Sequence, residues 1–261
     1  SGWPAGPEIT SETGVLMDAD SGTLLYSKGG DEIRYPASIT KIMTLLLAVE
    51  NCSLKEDVVF TETGTRDISW DSGNIGMQVG EVMSMRACLY ALVIRSANGV
   101  AAQIAEHVGG TEQHFVDMMN EKAKEIGATN THFVNCHGLH DDDHYTTAYD
   151  LYLIIKEFSK HDLAYVIDSL DTYDFTYTDA DGNEQVVTIE PTNEFLTGEV
   201  NFPDGYSIGS WKTGTTEEAL NCLIMELKND STGEEYIALV AGADGKEALY
   251  SAMTELINKA K

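Results

Sequence analysis

The sequence predicts an α/β fold of the α+β type, with an antiparallel sheet flanked by helices and an inserted all-helical lobe. Strand-like alternation occurs near the start of the chain and again after residue 205, whereas helical periodicity dominates between them. A length of 261 residues with 43% hydrophobic content is enough for a substantial core. We therefore assign residues 1–60 and 205–261 to a sheet-plus-helix lobe and residues 61–204 to a mainly helical lobe, together forming one domain.

Each element follows from a local pattern. Residues 14–20 and 23–27 read as two strands joined by an Asp-Ser-Gly turn, and a helix begins near Ser38 because Pro36 cannot continue a helix backward. The middle shows four helical patterns: residues 84–95, 98–108, 111–126 and 147–160. A hairpin over residues 172–189 is expected around Asp181-Gly182. The last part predicts strands and a closing helix: residues 207–213, 219–228, 236–241 and 246–260.

Charge and composition exclude several classes of protein. Sixteen basic against 43 acidic residues give a net charge of −27, which repels nucleic acid and holds an untethered chain away from anionic membranes. No apolar run reaches the roughly 18 residues needed to span a bilayer. The four cysteines lack CxxC spacing; Cys88 and Cys222 lie in apolar runs and are predicted to be buried thiols, while disulfide pairing stays open.

A serine one helical turn ahead of a lysine is the most informative motif. Ser38-Ile39-Thr40-Lys41 opens the apolar run that follows Pro36, and residues three apart share one face of a helix. A buried lysine beside the positive end of the helix dipole loses part of its preference for the charged form, so it can act as a base toward the serine. Many such tetrads are only a capping serine with an exposed lysine, so the motif needs support.

Two downstream motifs supply that support. Ser96-Ala97-Asn98 lies between two apolar helices, where a small polar turn can present a hydroxyl and an amide to a cleft, although it can also be a simple helix cap. Lys212-Thr213-Gly214 ends a predicted strand, and Gly214 permits close approach of a substrate backbone. A second match, Ser72-Gly73-Asn74, lies in a glycine-rich segment and is interpreted as a turn. The three motifs in this order are a signature of penicillin-binding proteins and class A β-lactamases.

The chain resembles the serine D-alanyl-D-alanine carboxypeptidases, which are low-molecular-mass penicillin-binding proteins. Besides the motifs, four stretches are similar to that family: residues 35–44, 96–102, 133–139 and 144–151. The resemblance covers about residues 13–258 and implies the penicillin-binding-protein/β-lactamase-like transpeptidase fold. It also implies removal of the terminal D-alanine from peptidoglycan pentapeptide stems through an acyl-enzyme, covalent inhibition by β-lactams, and no cofactor or metal.

The resemblance also implies a role for each site residue. Ser38 would be the nucleophile and Lys41 its base; Ser96 would relay the proton to the leaving amine, and Asn98 would hold Lys41 and the substrate amide. The charge of Lys212 would depress the pKa of Lys41 further. The remaining roles fall on the strand segment: Thr213, Gly214 and Thr215 would bind the substrate, with the terminal carboxylate at the two threonines and Lys212, and the backbone N–H groups of Ser38 and Thr215 would form the oxyanion hole. Thr215 departs from the histidine common in some members, which leaves substrate preference open.

Three other functions compete with this one. A class A β-lactamase needs a glutamate for deacylation, and the only E-x-x-L-N match, at Glu217, follows the third motif inside a predicted strand and is interpreted as accidental. A sensor that is acylated without turnover lacks support because every polar group for turnover is present. A zinc peptidase would use His137, His140 and His144, but H-E-x-x-H is absent. Asp179–Asn183 misses the calcium-loop register and is expected to be a hairpin turn.

The start of the sequence lacks an initiator methionine and a signal-peptide core, so we interpret it as mature or trimmed. The resemblance implies an extracytoplasmic location on the cell-wall side of the membrane, with any signal peptide or C-terminal anchor not present in this chain. Carboxypeptidase against endopeptidase preference, the third stem residue, biological role and oligomeric state stay open.

Overall fold

The described part of the computed structural model comprises residues 6–68, 73–161 and 172–260. Its larger sheet has five antiparallel strands in the order β2-β1-β9-β8-β7. The smaller sheet has four antiparallel strands in the order β3-β4-β5-β6. The strands are β1 (Thr13–Asp18), β2 (Leu24–Lys28), β3 (Asp57–Val59), β4 (Val82–Ser84), β5 (Tyr173–Thr178), β6 (Glu184–Ile189), β7 (Tyr206–Thr216), β8 (Leu220–Asn229) and β9 (Glu235–Ala243).

The helices pack on the large sheet and on one another. They are α1 (Lys41–Asn51), α2 (Glu62–Thr65), α3 (Met85–Ile94), α4 (Asn98–Gly109), α5 (Glu112–Glu125), α6 (Ala148–Phe158), α7 (Glu194–Thr197) and α8 (Lys246–Lys259). Helix α8 packs against β1, β8 and β9, and α6 packs against β1 and β9. Strand β9 is buried on both faces, whereas the edge strand β2 is largely exposed. The apolar stretches of β8 and β9 therefore form the centre of the core.

Helix α1 is the central helix of the molecule. Its residues 41–48 are all buried, as expected of a helix that is hydrophobic on every side. It packs against α3, α4, α5 and α6, so it joins the helical elements although it follows the first two strands in sequence. The predicted division into residues 1–60 with 205–261 and residues 61–204 stays a prediction.

The bounds of the predicted elements agree with the observed ones to within three residues, and two differences matter. A 3₁₀ turn, Ala37–Thr40, precedes α1, so the helix proper begins at Lys41 and Ser38 lies in the turn before it. The inserted part is not all-helical, because β3 pairs with β4 and β4 pairs with β5 of the predicted β5–β6 hairpin to form the smaller sheet. Both added strands are three residues long, which is too short for alternation to reveal them.

Smaller predictions also have outcomes. All four cysteines are free thiols, and Cys88 and Cys222 are buried as predicted. The Asp179–Asn183 segment forms the turn between β5 and β6, with Asp179 accepting hydrogen bonds from the backbone N–H groups of Asp181 and Asn183. Ser72 lies outside the described residues. Within the described ranges, no helix has both the length and the hydropathy needed to cross a bilayer.

Candidate active site

Ser38 and Lys41 meet at the junction between the 3₁₀ turn and α1. The Lys41 Nζ atom donates hydrogen bonds to Ser38 Oγ at 2.9 Å and to the backbone oxygen of His137 at 2.6 Å. Lys41 is fully buried, whereas Ser38 is half-buried and lines a cleft. The amine is therefore held against the hydroxyl from the protein side, while the hydroxyl can be reached from the cleft.

Burial determines the protonation of Lys41. Removal from water disfavours the ammonium form and lowers the pKa of Lys41 to about 7. Near neutral pH a large fraction of the amine is therefore uncharged. An uncharged amine 2.9 Å from a hydroxyl can accept its proton as the oxygen attacks an acyl carbon.

The backbone around Ser38 is strained and is supported by a glycine. Ala37 has φ 46°, a left-handed conformation that non-glycine residues seldom adopt. Gly138 has φ 89°, and a Cβ atom there would lie 1.9 Å from the backbone oxygen of Ala37. The segment that contains Gly138 therefore packs directly on the turn that carries the hydroxyl. Sequence reasoning noted residues 133–139 as a family-like stretch but gave His137 and Gly138 no role at Lys41.

Ser96 and Asn98 lie at the start of α4. Ser96 has φ 60°, and Asn98 is the first residue of the helix and only 2% exposed. The Asn98 Nδ2 group donates a long hydrogen bond to the backbone oxygen of Ile68, at 3.4 Å. Ser96 Oγ and Asn98 Oδ1 are buried without a hydrogen-bond partner, although both residues line the cleft. Buried polar atoms are rarely left unpaired, so these two are suited to bind a ligand.

Strand β7 forms the opposite wall of the cleft. It is an edge strand of the large sheet, so one side of its backbone is not paired with another strand. The Thr213 hydroxyl shares a 2.5 Å hydrogen bond with the Thr192 hydroxyl, and the Thr215 hydroxyl donates to Asn221 Oδ1 at 3.2 Å. A Cβ atom at Gly214 would lie 3.0 Å from the backbone nitrogen of Ser38. A Cβ contact this short is tighter than ordinary packing, so glycine at position 214 favours the close approach of β7 to the serine turn.

Lys212 is the second buried amine of the site. It is fully buried and its Nζ atom donates to the backbone oxygen of Thr213 at 2.9 Å. Burial lowers the pKa of Lys212 well below its ordinary value, and repulsion from Lys41 lowers it further. Repulsion between the two ammonium groups disfavours charging both at once, and burial is the largest cause of the lowered pKa of each amine. The expectation that the charge of Lys212 depresses the pKa of Lys41 stays a prediction.

One cleft of about 720 Å³ brings the sequence-predicted residues together. Six of the eight line it directly: Ser38, Ser96, Asn98, Thr213, Gly214 and Thr215. Lys41 and Lys212 are buried beside them. A serine hydroxyl with an adjacent buried amine, unpaired polar atoms and an open strand edge around one cavity is an arrangement suited to acyl transfer. Thr192, which also lines the cleft, was missed because it lies in an irregular segment without a motif.

The structure also locates the residues of the two alternative functions, the β-lactamase and the zinc peptidase. Glu217 lies in the turn between β7 and β8, not inside a strand, and is exposed at the rim of the cleft. Both ring nitrogens of His144 are used within the protein, by Thr40 Oγ1 at 2.8 Å and by the backbone N–H of Val134 at 3.0 Å. His144 therefore has no free nitrogen to ligate a metal together with His137 and His140.

Comparison with known proteins gives the family. A family profile described as D-alanyl-D-alanine carboxypeptidase matches residues 3–245. The D-alanyl-D-alanine carboxypeptidase DacF of Bacillus subtilis is 32% identical over 252 residues, which are 95% of this chain and 61% of that protein. The chain thus spans less than two thirds of the length of DacF.

Solved structures show the same fold. A Streptomyces DD-transpeptidase has a TM-score of 0.89 at 25% identity, and the match covers 98% of each chain. The D-alanyl-D-alanine carboxypeptidase DacD from Francisella tularensis has a TM-score of 0.84 at 27% identity, covering 99% of this chain and 72% of that one. The penicillin-binding-protein-like fold expected from the resemblance is confirmed, and the chain belongs to the D-alanyl-D-alanine carboxypeptidase family.

Proposed function

We propose that this chain is a serine D,D-carboxypeptidase, which removes the terminal D-alanine from peptidoglycan pentapeptide stems through an acyl-enzyme on Ser38. The observation that carries the proposal is the 2.9 Å contact between Lys41 Nζ and Ser38 Oγ, together with a Lys41 pKa of about 7. Membership of the carboxypeptidase family supports the same activity.

Acylation uses the groups around the serine. Lys41 takes the proton of Ser38 as Oγ attacks the carbonyl between the two D-alanines. Ser96 passes a proton to the leaving amine, and its buried, unpaired hydroxyl supports that role. Asn98 holds Lys41 and the substrate amide, which its unpaired Oδ1 atom supports. Water then attacks the acyl-enzyme and releases the shortened stem.

Substrate binding uses strand β7. The hydroxyls of Thr213 and Thr215, with Lys212, bind the terminal carboxylate of the stem, which in turn favours the charged form of Lys212. Gly214 admits the peptide backbone beside the serine turn. The backbone N–H groups of Ser38 and Thr215 bind the oxyanion, and each such donor contributes about 3 kcal/mol to stabilisation of the transition state.

Penicillin and other β-lactams act as covalent inhibitors at the same serine. Their ring carbonyl acylates Ser38 in the same way as a stem peptide, but the leaving nitrogen remains tethered to the acyl group. Slow deacylation follows because Glu217 occupies a turn after the third motif and does not match the deacylating glutamate of class A β-lactamases.

The proposed substrate also indicates where the protein acts, and the proposed lobes indicate where the cleft lies. Peptidoglycan stems lie outside the cytoplasm, so we place the enzyme on the cell-wall side of the membrane. Residues 1–60 with 205–261 would form a sheet-plus-helix lobe and residues 61–204 a second lobe, with the cleft between them. The high negative charge of the chain disfavours nucleic acid as a partner.

The proposal is tested by measuring D-alanine released from a synthetic pentapeptide that ends in D-Ala-D-Ala. The wild-type protein should release one D-alanine per stem, and Ser38→Ala should release none while keeping the wild-type melting temperature. Thr176→Val, a change on the exposed face of β5, is the matched control and should retain full activity. Release that is unchanged in Ser38→Ala would refute the proposal. Adding an amine acceptor distinguishes hydrolysis from the transpeptidation that gives the Streptomyces relative its name.

A further inference from the structure

Three metal-ligating side chains meet away from the cleft, where the C-terminal ends of α1 and α4 converge. Cys52, Glu56 and His107 each offer one ligand atom, and the three atoms all lie within 4.8 Å of one another. His107 Nε2 is 3.2 Å from Glu56 Oε2. In the described part of the chain this is the only group of three or more such side chains with that spacing.

We propose that Cys52, Glu56 and His107 form a binding site for a divalent zinc ion, with the fourth position taken by water. One thiolate, one imidazole and one carboxylate are ligands that Zn²⁺ accepts in tetrahedral sites. Two ligands about 2.0–2.1 Å from a tetrahedral ion lie about 3.3 Å apart, which is close to the observed separation of nitrogen and oxygen. The thiol proton of Cys52 leaves to solvent as the sulfur binds.

The ligands are held in place before an ion arrives. Cys52 is the C-cap of α1, and its backbone N–H donates to the oxygen of Ala48. The Glu56 carboxylate accepts a 2.6 Å hydrogen bond from the backbone N–H of Ser53, which directs its second oxygen toward His107. Part of the side-chain freedom of Glu56 and His107 is therefore already lost before an ion binds, which favours affinity.

The helix ends add a favourable field. Cys52 directly follows the last residue of α1, and His107 lies in the last turn of α4. The C-terminal end of a helix carries partial negative charge, so a cation there is stabilised by both helices. The opposite ends of the same helices begin at Lys41, buried beside the cleft, and at Asn98, which lines it. A bound ion would therefore clamp together the two helices that position these residues.

Cobalt spectroscopy of the full chain tests the site. Cobalt(II) bound through Cys52 should give a sulfur-to-metal charge-transfer band, with one equivalent bound and displaced by zinc. Cys52→Ser should lose the band, and His107→Ala should weaken binding at least tenfold. The control is His114→Ala, an exposed histidine on α5, which should bind as the wild type does. Absence of the band in wild type, or an equal band in Cys52→Ser, would overturn the proposal.

Thermal unfolding gives a second readout that does not depend on activity. Zinc at a hundredfold excess over its Kd should raise the melting temperature of wild type by about 5 °C, since a ligand that binds only the native state stabilises it. The increase should vanish in Cys52→Ser, fall to about half or less in His107→Ala, and persist in His114→Ala. An equal increase in all four proteins would show binding elsewhere and refute this site.

Discussion

The chemistry of this chain depends at the residue scale on how Lys41 is buried. Its amine has the Ser38 hydroxyl and the His137 backbone oxygen as partners, and neither carries a charge that would hold the ammonium form. Desolvation therefore dominates and brings the pKa of Lys41 to about 7. A surface lysine at the same sequence spacing would stay protonated and could not act as a base at neutral pH.

Gly138 provides a prediction at the same scale. Gly138→Ala places a Cβ atom 1.9 Å from the backbone oxygen of Ala37 and also meets the cost of φ 89°. We expect a loss of more than about 2 kcal/mol in unfolding free energy. Penicillin acylation should slow by at least about tenfold, because displacement of the serine turn misplaces Ser38.

The matched control is Gly182→Ala in the β5–β6 turn. Gly182 has φ 85°, but nothing lies within 4 Å of its added Cβ atom. This variant should lose about 1 kcal/mol of stability and be acylated at the wild-type rate. Equal acylation rates in the two variants would contradict the role assigned to Gly138.

At the scale of secondary-structure elements, the site residues are positioned by the ends of helices and by the edge of a sheet. Lys41 and Asn98 are the first residues of α1 and α4, and Lys212 to Thr215 lie on the edge strand β7. These positions follow from packing: two apolar helices meet side by side, and the last strand of the sheet remains free along one edge. Backbone groups left unpaired at a strand edge can bind an extended peptide.

The buried His144 side chain provides a prediction about how low pH destabilises the protein. The His144 ring contacts Thr40 in the serine turn and accepts a hydrogen bond from the backbone N–H of Val134. His144 therefore links the serine turn to the segment that contains Val134. Burial lowers the pKa of His144 from 6.5 to about 4, so between these values the unfolded chain binds a proton that the folded chain does not. Stability contributed by neutral His144 is therefore lost as pH falls from 6.5 toward 4.

We expect wild type to lose up to about 3 kcal/mol more unfolding free energy over this pH interval than His144→Gln, which cannot titrate. Urea unfolding of both proteins across the interval measures the difference. Parallel pH profiles for the two proteins would contradict the assignment.

Much of the fold and of the candidate site could be predicted from the sequence, and the features that could not be predicted have physical causes. The long helices and strands carry enough periods to be recognised, and the three motifs have distinctive side chains. Strands β3 and β4 are three residues each, and β4 joins the smaller sheet by pairing with β5, which is about 95 residues away in sequence. The His137 contact uses a backbone oxygen, and Thr192 acts through one hydroxyl, so neither leaves a side-chain pattern.

At the scale of the whole molecule, the net charge provides a prediction about thermal stability. A charge of −27 means that the acidic groups of the folded chain repel one another. Salt at 0.1 M largely screens this repulsion between charges that are more than about 10 Å apart. We expect the melting temperature to rise by several degrees between about 0.01 M and 0.1 M sodium chloride, measured by calorimetry. A fall in melting temperature would show that specific ion pairs outweigh the net repulsion.

The most direct test of the whole account is the rate at which penicillin acylates Ser38 as a function of pH, followed by intact-protein mass spectrometry. The rate should rise with pH, reach half its plateau near pH 7 as Lys41 loses its proton, and fall by at least about 10³ in Lys41→Arg. A rate independent of pH, or an adduct that persists in Ser38→Ala, would contradict the assignment of Lys41 as base and Ser38 as nucleophile.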